Sequence, residues 1–134
     1  MPKYSIAGAS GCGKTTLARC INGLIPRSYK GELTGSIALY GKPLKSMSLS
    51  EISQKIGTLL QDPERQIIAS NVYAEIAFGP ENLGLPEAEI EERIAEVLKR
   101  LRIDYLSSRD TFALSGGEKQ KVALAGVLAM RPSI

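Results

Sequence analysis

The chain is 134 residues long, with 43% hydrophobic residues, 23% charged residues and a formal net charge of +3. That length holds one domain at most, the composition is ordinary for a globular protein, and so small a charge with no basic arm gives no case for nucleic acid as a partner. No His is present and no apolar run of about 18 residues exists, which removes His-based catalysis, most zinc sites and any helix long enough to span a membrane. The N-terminus shows no charged region followed by an apolar run, so no secretory signal is expected. The two cysteines, Cys12 and Cys20, would lie about 12 Å apart along one helix, too far for a disulfide. Reduced thiols in the cytoplasm are the simple expectation.

Tyr4 to Ala7 is short, partly apolar and runs into glycines, as a buried strand feeding a tight loop does. From Lys14 to Leu24 apolar residues recur at Leu17, Ile21 and Leu24, which predicts a helix stopped by Pro26. Gly31 to Gly35 is turn-rich, and Ser36 to Tyr40 reads as a strand closed by Gly41-Lys42-Pro43. Ser50 to Gln54 suits a helical turn, and Ile56 to Leu60 reads as a second buried strand. Asn71 to Phe78 predicts a short helix ended before Gly79-Pro80. Glu87 to Leu101 is the cleanest helix. Ile90, Ile94, Val97, Leu98 and Leu101 form its apolar stripe, and Glu89–Arg93 and Glu96–Arg100 are i,i+4 pairs in the favourable order. Gly117 to Met130 predicts a last helix, with Val122, Ala125, Leu128 and Ala129 on one side and Pro132 beyond its end. There is no internal repeat, low-complexity segment or dividing linker.

Gly8-Ala9-Ser10-Gly11-Cys12-Gly13-Lys14-Thr15 fits G-x4-G-K-[ST] in the required context of strand, glycine loop and helix. A triphosphate is a dense anion. Gly8, Gly11 and Gly13 let the backbone curl so that several N–H groups converge on it, and the helix starting near Lys14 adds its positive end. Ser10, Cys12 and Thr16 complete the cradle for ATP. Lys14 reaches the β- and γ-phosphates and the Thr15 hydroxyl takes Mg²⁺. The pattern arises by chance in on the order of half a percent of chains this long, so a mere glycine turn with a surface lysine is a poor account of it. Alkylation of Cys12 is expected to block nucleotide binding, with ATP protecting it, unless Cys12 is simply a small residue that fits. Cys20 reads as a core residue.

A second glycine pair opens the last helix. Ser115, Gly116 and Gly117 offer a hydroxyl and two uncrowded N–H groups, and by spacing alone a plain N-cap explains them better than an anion site does. Leu114-Ser115-Gly116-Gly117-Glu118-Lys119-Gln120, however, resembles the signature of the ABC ATPases, and it follows a phosphate loop as it does in that family. The resemblance implies an α/β fold of the P-loop NTPase, ABC ATPase type. Its parts would be a partial parallel sheet, an antiparallel β arm and a helical subdomain carrying the signature. It also implies that two ATP-binding domains stack head to tail, as a homodimer or heterodimer. Ser115, Gly116 and Gly117 would then cap the γ-phosphate held by the other domain. Gln61 follows the strand over 56–60, where the family places a glutamine that senses Mg²⁺ and the γ-phosphate in a loop that also meets a membrane-embedded subunit. It is therefore the candidate catalytic and metal-sensing residue.

Gln61-Asp62-Pro63-Glu64-Arg65-Gln66, Ala74-Glu75-Ile76-Ala77-Phe78-Gly79-Pro80-Glu81-Asn82-Leu83-Gly84 and Gly31-Glu32-Leu33-Thr34-Gly35-Ser36-Ile37 resemble a subgroup, the ATPases of energy-coupling-factor importers of cobalt and vitamins. That likeness implies a peripheral place at the cytoplasmic face of the cell membrane and ATP hydrolysis that energises micronutrient uptake. The whole chain reads as one partial ATP-binding domain: a phosphate-loop core over 1–69, a helical subdomain with the signature over 70–118, and a helix returning to the core over 119–134.

Two family features are not found in the sequence. One is the N-terminal hairpin whose aromatic residue stacks on adenine, a role that does not suit Tyr4. The other is the strand ending in Asp-Glu, with its later switch His, which would follow Arg131-Pro132-Ser133-Ile134. The chain therefore reads as truncated at both ends, poorly stable alone and weak in hydrolysis, and Glu118 is a poor substitute for the missing acid. The alternative is a catalytically incomplete nucleotide-binding piece that regulates or pairs with a complete ATPase. Soluble ABC ATPases of DNA repair or translation usually carry long inserted arms that are not seen here. A small-molecule P-loop kinase would leave the signature unexplained.

Overall fold

The computed structural model describes residues 3–62 and 65–134, which form two compact units, Met1–Ile56 and Gly57–Ile134. In the first unit the chain runs without regular structure to Gly13 and then enters helix α1 (Lys14–Ile21). α1 stops short of the predicted Leu24 because Gly23 takes a left-handed φ of +74°. A Cβ there would come within 2.7 Å of Ile52, so glycine is needed for packing as well as for the turn. A four-residue helix α2 (Leu24–Arg27) follows. Strands β1 (Ala38–Leu39) and β2 (Lys42–Pro43) pair antiparallel, Ala38 opposite Pro43 and Leu39 opposite Lys42. Tyr40 and Gly41 between them both have positive φ, +50° and +79°, as a type I′ hairpin turn requires. Helix α3 (Leu49–Ser53) begins at a capping box in which Ser48 and Glu51 satisfy each other's backbone N–H. Leu39, Leu44, Met47 and Ile52 form this unit's small core, with Ile37 and Ile56 against it.

The antiparallel arm is thus present, but two predicted strands are not. Residues 4–7 and 56–60 carry no β ladder, and the only sheet among the described residues is β1–β2. A strand exists only as one side of a ladder, and neither segment has a second strand beside it. The apolar positions of α1 are likewise not buried: Leu17 and Ile21 stand exposed, and Cys20 is half-buried rather than core.

The second unit is a helical bundle of α4 (Val72–Asn82), α5 (Glu87–Leu101) and α6 (Gly116–Ala129). Val72, Ile76 and Ala77 of α4, Ile90, Ile94, Val97 and Leu98 of α5, and Val122, Ala125 and Ala129 of α6 share one core with Ile103, Leu106 and Leu114. The predicted stripe of α5 is buried as read, with Leu101 at its margin, and Arg93 meets Glu89 at 2.6 Å. Glu96 pairs with Arg131 at 2.7 Å, beyond the end of α6, in place of the expected Arg100 partner. α4 does not end before Gly79-Pro80 but runs through both to Asn82. Pro80 forfeits one helical N–H, which its complete burial offsets, and the helix closes only at Gly84, with φ +69°. Gly79 is required by α6's tail: a Cβ there would collide with the Met130 side chain.

Gly79→Ala is therefore expected to destabilise the second unit by about 1–3 kcal/mol, despite alanine's better helix propensity. Urea unfolding followed by circular dichroism checks this. A midpoint equal to or above that of the parent would show that the contact does not limit the packing.

Candidate functional site

The glycine loop is built from backbone alone. Gly11 and Gly13 take φ of +83° and +96°, values that side chains resist, and no atom lies within 4 Å of the place a Cβ would occupy on either. Gly8 differs. A Cβ there would lie 2.6 Å from Cys12 Sγ, so it is closeness of the loop to itself that demands glycine. α1 starts at Gly13 with no side-chain cap and no acidic residue in its first turn. The first N–H groups of a helix lack intrahelical partners and carry the positive end of its dipole, so this end is left bare for an anion. Lys14 Nζ donates to Gly8 O at 2.7 Å and Ala9 O at 2.8 Å, and lies 3.5 Å from Cys12 Sγ. Its ammonium is thereby held over the loop. Ser10, Cys12, Thr15 and Thr16 are all exposed around it. The open cradle, the uncapped helix end and the tethered lysine fit a nucleotide phosphate chain, and the Thr15 hydroxyl on the first turn fits the metal that accompanies it.

The other predicted site residues lie in the second unit. Gln61 is exposed at the end of the 57–60 segment, and Pro63 and Glu64 of its loop lie outside the described residues. Ser115 is the N-cap of α6. Its Oγ accepts the Glu118 N–H at 3.3 Å and donates to Glu118 Oε2 at 2.8 Å, while Ser115 N–H donates to the same oxygen at 2.8 Å. Tyr105 adds a hydroxyl 3.4 Å from Oε1. The Ser115 backbone and then its hydroxyl hold the Glu118 carboxyl below its usual range. Gly116 and Gly117 face open space.

Three residues that the sequence reading did not single out organise the Gln61 loop. Gln66 accepts the Leu60 N–H at 2.9 Å and donates to Thr58 O at 3.2 Å, so one amide does for this segment what a strand partner would. Glu75 is buried on α4 and accepts the N–H groups of Ile68 and Ala69. Thr111, also buried, donates its hydroxyl to Ala69 O. No periodicity marks such residues; a lone Glu among apolar neighbours on α4 was the one available signal.

The family model described as ABC transporter matches residues 2–134. The chain belongs to the ABC transporter family. Among its relatives, a provisionally named ABC transporter ATP-binding protein of Treponema denticola is 48% identical over 93% of this chain and 26% of its own length. A provisionally named HMP/thiamine import ATP-binding protein of Bacillus subtilis, YkoD, is 47% identical over 96% of this chain and 24% of its own length. The chain thus spans about a quarter of the curated relatives it matches. The solved structure of CbiO1 from Clostridium perfringens, described as part of the ABC transporter complex CbiONQ, superposes with a TM-score of 0.79 at 38% identity, over 93% of this chain and 49% of that one. These neighbours establish the P-loop NTPase fold of the ABC type, present here in part. The loop around Lys14 lies within the residues that the family model matches. No described helix is long and apolar enough to cross a membrane.

The capping box of Ser115 and Glu118 makes a pH-dependent contribution. Because the folded-state Glu118 carboxyl titrates below its usual range, its contribution is fully present above that range and is lost as pH falls through the lowered value. The stability gap between the parent and Glu118→Gln should therefore narrow as the medium is acidified. Thermal melts of both proteins from neutral to acidic pH test this, and a constant gap would show that the carboxylate contributes nothing.

Proposed function

We propose that the chain is the nucleotide-binding part of an ATP-hydrolysing subunit that energises an importer of the energy-coupling-factor type, with a vitamin or a transition-metal ion as cargo. The observation that carries the ATP-binding half is the phosphate loop: left-handed glycines over open space, an uncapped helix end free of acid, and Lys14 tethered above them. The importer half is supported by the likeness to CbiO1, described as part of CbiONQ, and to YkoD, named for HMP/thiamine import.

In this reading Thr15 holds Mg²⁺, and Gln61 senses the metal and the γ-phosphate. Ser115, Gly116 and Gly117 serve the nucleotide of a second ABC domain. The partners are that second domain and a membrane-embedded subunit, and the place of work is the cytoplasmic face of the membrane. ATP supplies the phosphoryl group whose transfer to water drives transport. The residues here bind and orient it, and neutralise its charge.

Titration of the chain with a fluorescent ATP analogue and Mg²⁺ tests the reading. Lys14→Ala should weaken binding at least about tenfold, since a charge-assisted contact worth about 1.5–3 kcal/mol is lost. Equal affinity in the two proteins would sink the assignment. Saturating Mg-ATP should also slow maleimide labelling of Cys12, which is exposed in the cradle, while leaving Cys20 unchanged. Labelling of Cys12 at the same rate with and without nucleotide counts against contact at the loop.

A further inference from the structure

An open pocket is lined by Ile67, Ile68, Ala69, Thr111, Phe112 and Lys119. Its floor is more informative than its mouth. Ala69 is held by both of its peptide groups. Its N–H goes to Glu75 Oε2 at 2.7 Å, and its C=O accepts the Thr111 hydroxyl at 2.7 Å. Ile68 N–H shares the same Glu75 oxygen at 2.9 Å, and Thr111 N–H donates to Ser70 O at 2.9 Å. Glu75 is 8% exposed and Thr111 is 1% exposed. Thr111 then opens a 3-10 turn, Thr111–Ala113, followed at once by buried Leu114 and by Ser115.

We propose that Glu75 and Thr111 are positioning residues. Together they clamp the return leg of the Gln61 loop to the segment that leads into the signature, so that Gln61 and Ser115 shift as one piece. The proposal rests on the roles given above to Gln61 and Ser115. Two arguments carry it. First, a single buried side-chain oxygen of Glu75 answers two backbone N–H groups, those of Ile68 and Ala69, so its removal would leave both amides unpaired. Second, the grip falls on the two places where slack would separate the motifs. Upstream, Gln66 ties Thr58 and Leu60. Downstream, only the short turn lies between Thr111 and Ser115.

The test uses the full chain and two readouts. The first is the preference for Mg-ATP over Mg-ADP. Gln61→Ala should lower it, and Glu75→Ala and Thr111→Val should each lower it about fivefold, the worth of roughly one hydrogen bond, with ADP affinity unchanged. Glu75→Gln should keep most of the preference, because its amide oxygen can accept both N–H groups. The Glu75→Ala/Thr111→Val double variant should lose little more than either single one, because both act through Ala69.

The second readout is hydrogen exchange at residues 114–118, which should quicken in Glu75→Ala and Thr111→Val and stay slow in Glu75→Gln. Exchange unchanged there in either alanine or valine variant overturns the clamp, whatever the nucleotide data show. Should Glu75→Ala fail to fold, Thr111→Val alone decides, since it removes only the hydroxyl. If Gln61→Ala lowers the preference while Thr111→Val does not, the clamp is refuted and the role of Gln61 stands. If Gln61→Ala has no effect but exchange quickens as expected, the clamp stands and the role of Gln61 falls.

Discussion

The close approach of α4 to α6 governs the second unit. It is set by small residues: Gly79 beneath the Met130 side chain, and Ala125 and Ala129 at full burial. Larger side chains would hold the helices apart, because packed interiors have no spare volume. Glu75, on α4, is buried. Arg93 of α5 closes the far end by donating to Ala129 O at 3.0 Å while pairing with Glu89. The signature thus sits at the head of a helix anchored along its length and at its tail.

The starts of α1 and α6 are opposites. α1 begins without a cap and without an acid, so its orphan N–H groups and dipole are uncompensated by the protein. α6 begins with a full capping box whose carboxylate lies on the Ser115 hydroxyl and backbone. A bare end binds an anion with little rearrangement. A capped end must give up a hydrogen bond first, because the single proton of the Ser115 hydroxyl already points to Glu118. In the proposed reading α1 is the resident nucleotide site. In that same reading the signature would engage only when a second domain brings a phosphate strong enough to compete.

Legibility from sequence divides along the same physical line. α5 was readable from its 3.6-residue stripe, and the loop at Gly8 to Thr15 from its glycines, because both are determined locally. The capping box of α6 was also present as Ser115 followed by Glu118 at the third position. The strands at 4–7 and 56–60 were misread because a strand depends on a neighbour that its own residues do not specify. The extension of α4 through Pro80 was misread for a related reason. Local rules penalise the proline, and the offsetting burial comes from α6 and the rest of the core. Gln66 and Glu75 lie in segments read by resemblance, but the contacts they and Thr111 make were not legible, because each acts on backbone atoms several or many residues away.

Those long-distance polar contacts also explain why irregular chain can present a functional residue. The described residues between Gly57 and Ser70 have no ladder, yet several of their backbone groups find partners one by one. Ile134 O accepts the Gly57 N–H, Gln66 takes Thr58 and Leu60, Glu75 takes Ile68 and Ala69, and Thr111 takes Ala69 and Ser70. Side-chain partners of this kind are individually comparable to ladder bonds, but they fix points, whereas a ladder fixes a line. Gln61 lies between two such points, past Leu60 and before Gln66, and is exposed there. In the proposed reading that exposure leaves Gln61 accessible to a γ-phosphate, which a residue locked inside a sheet would not be.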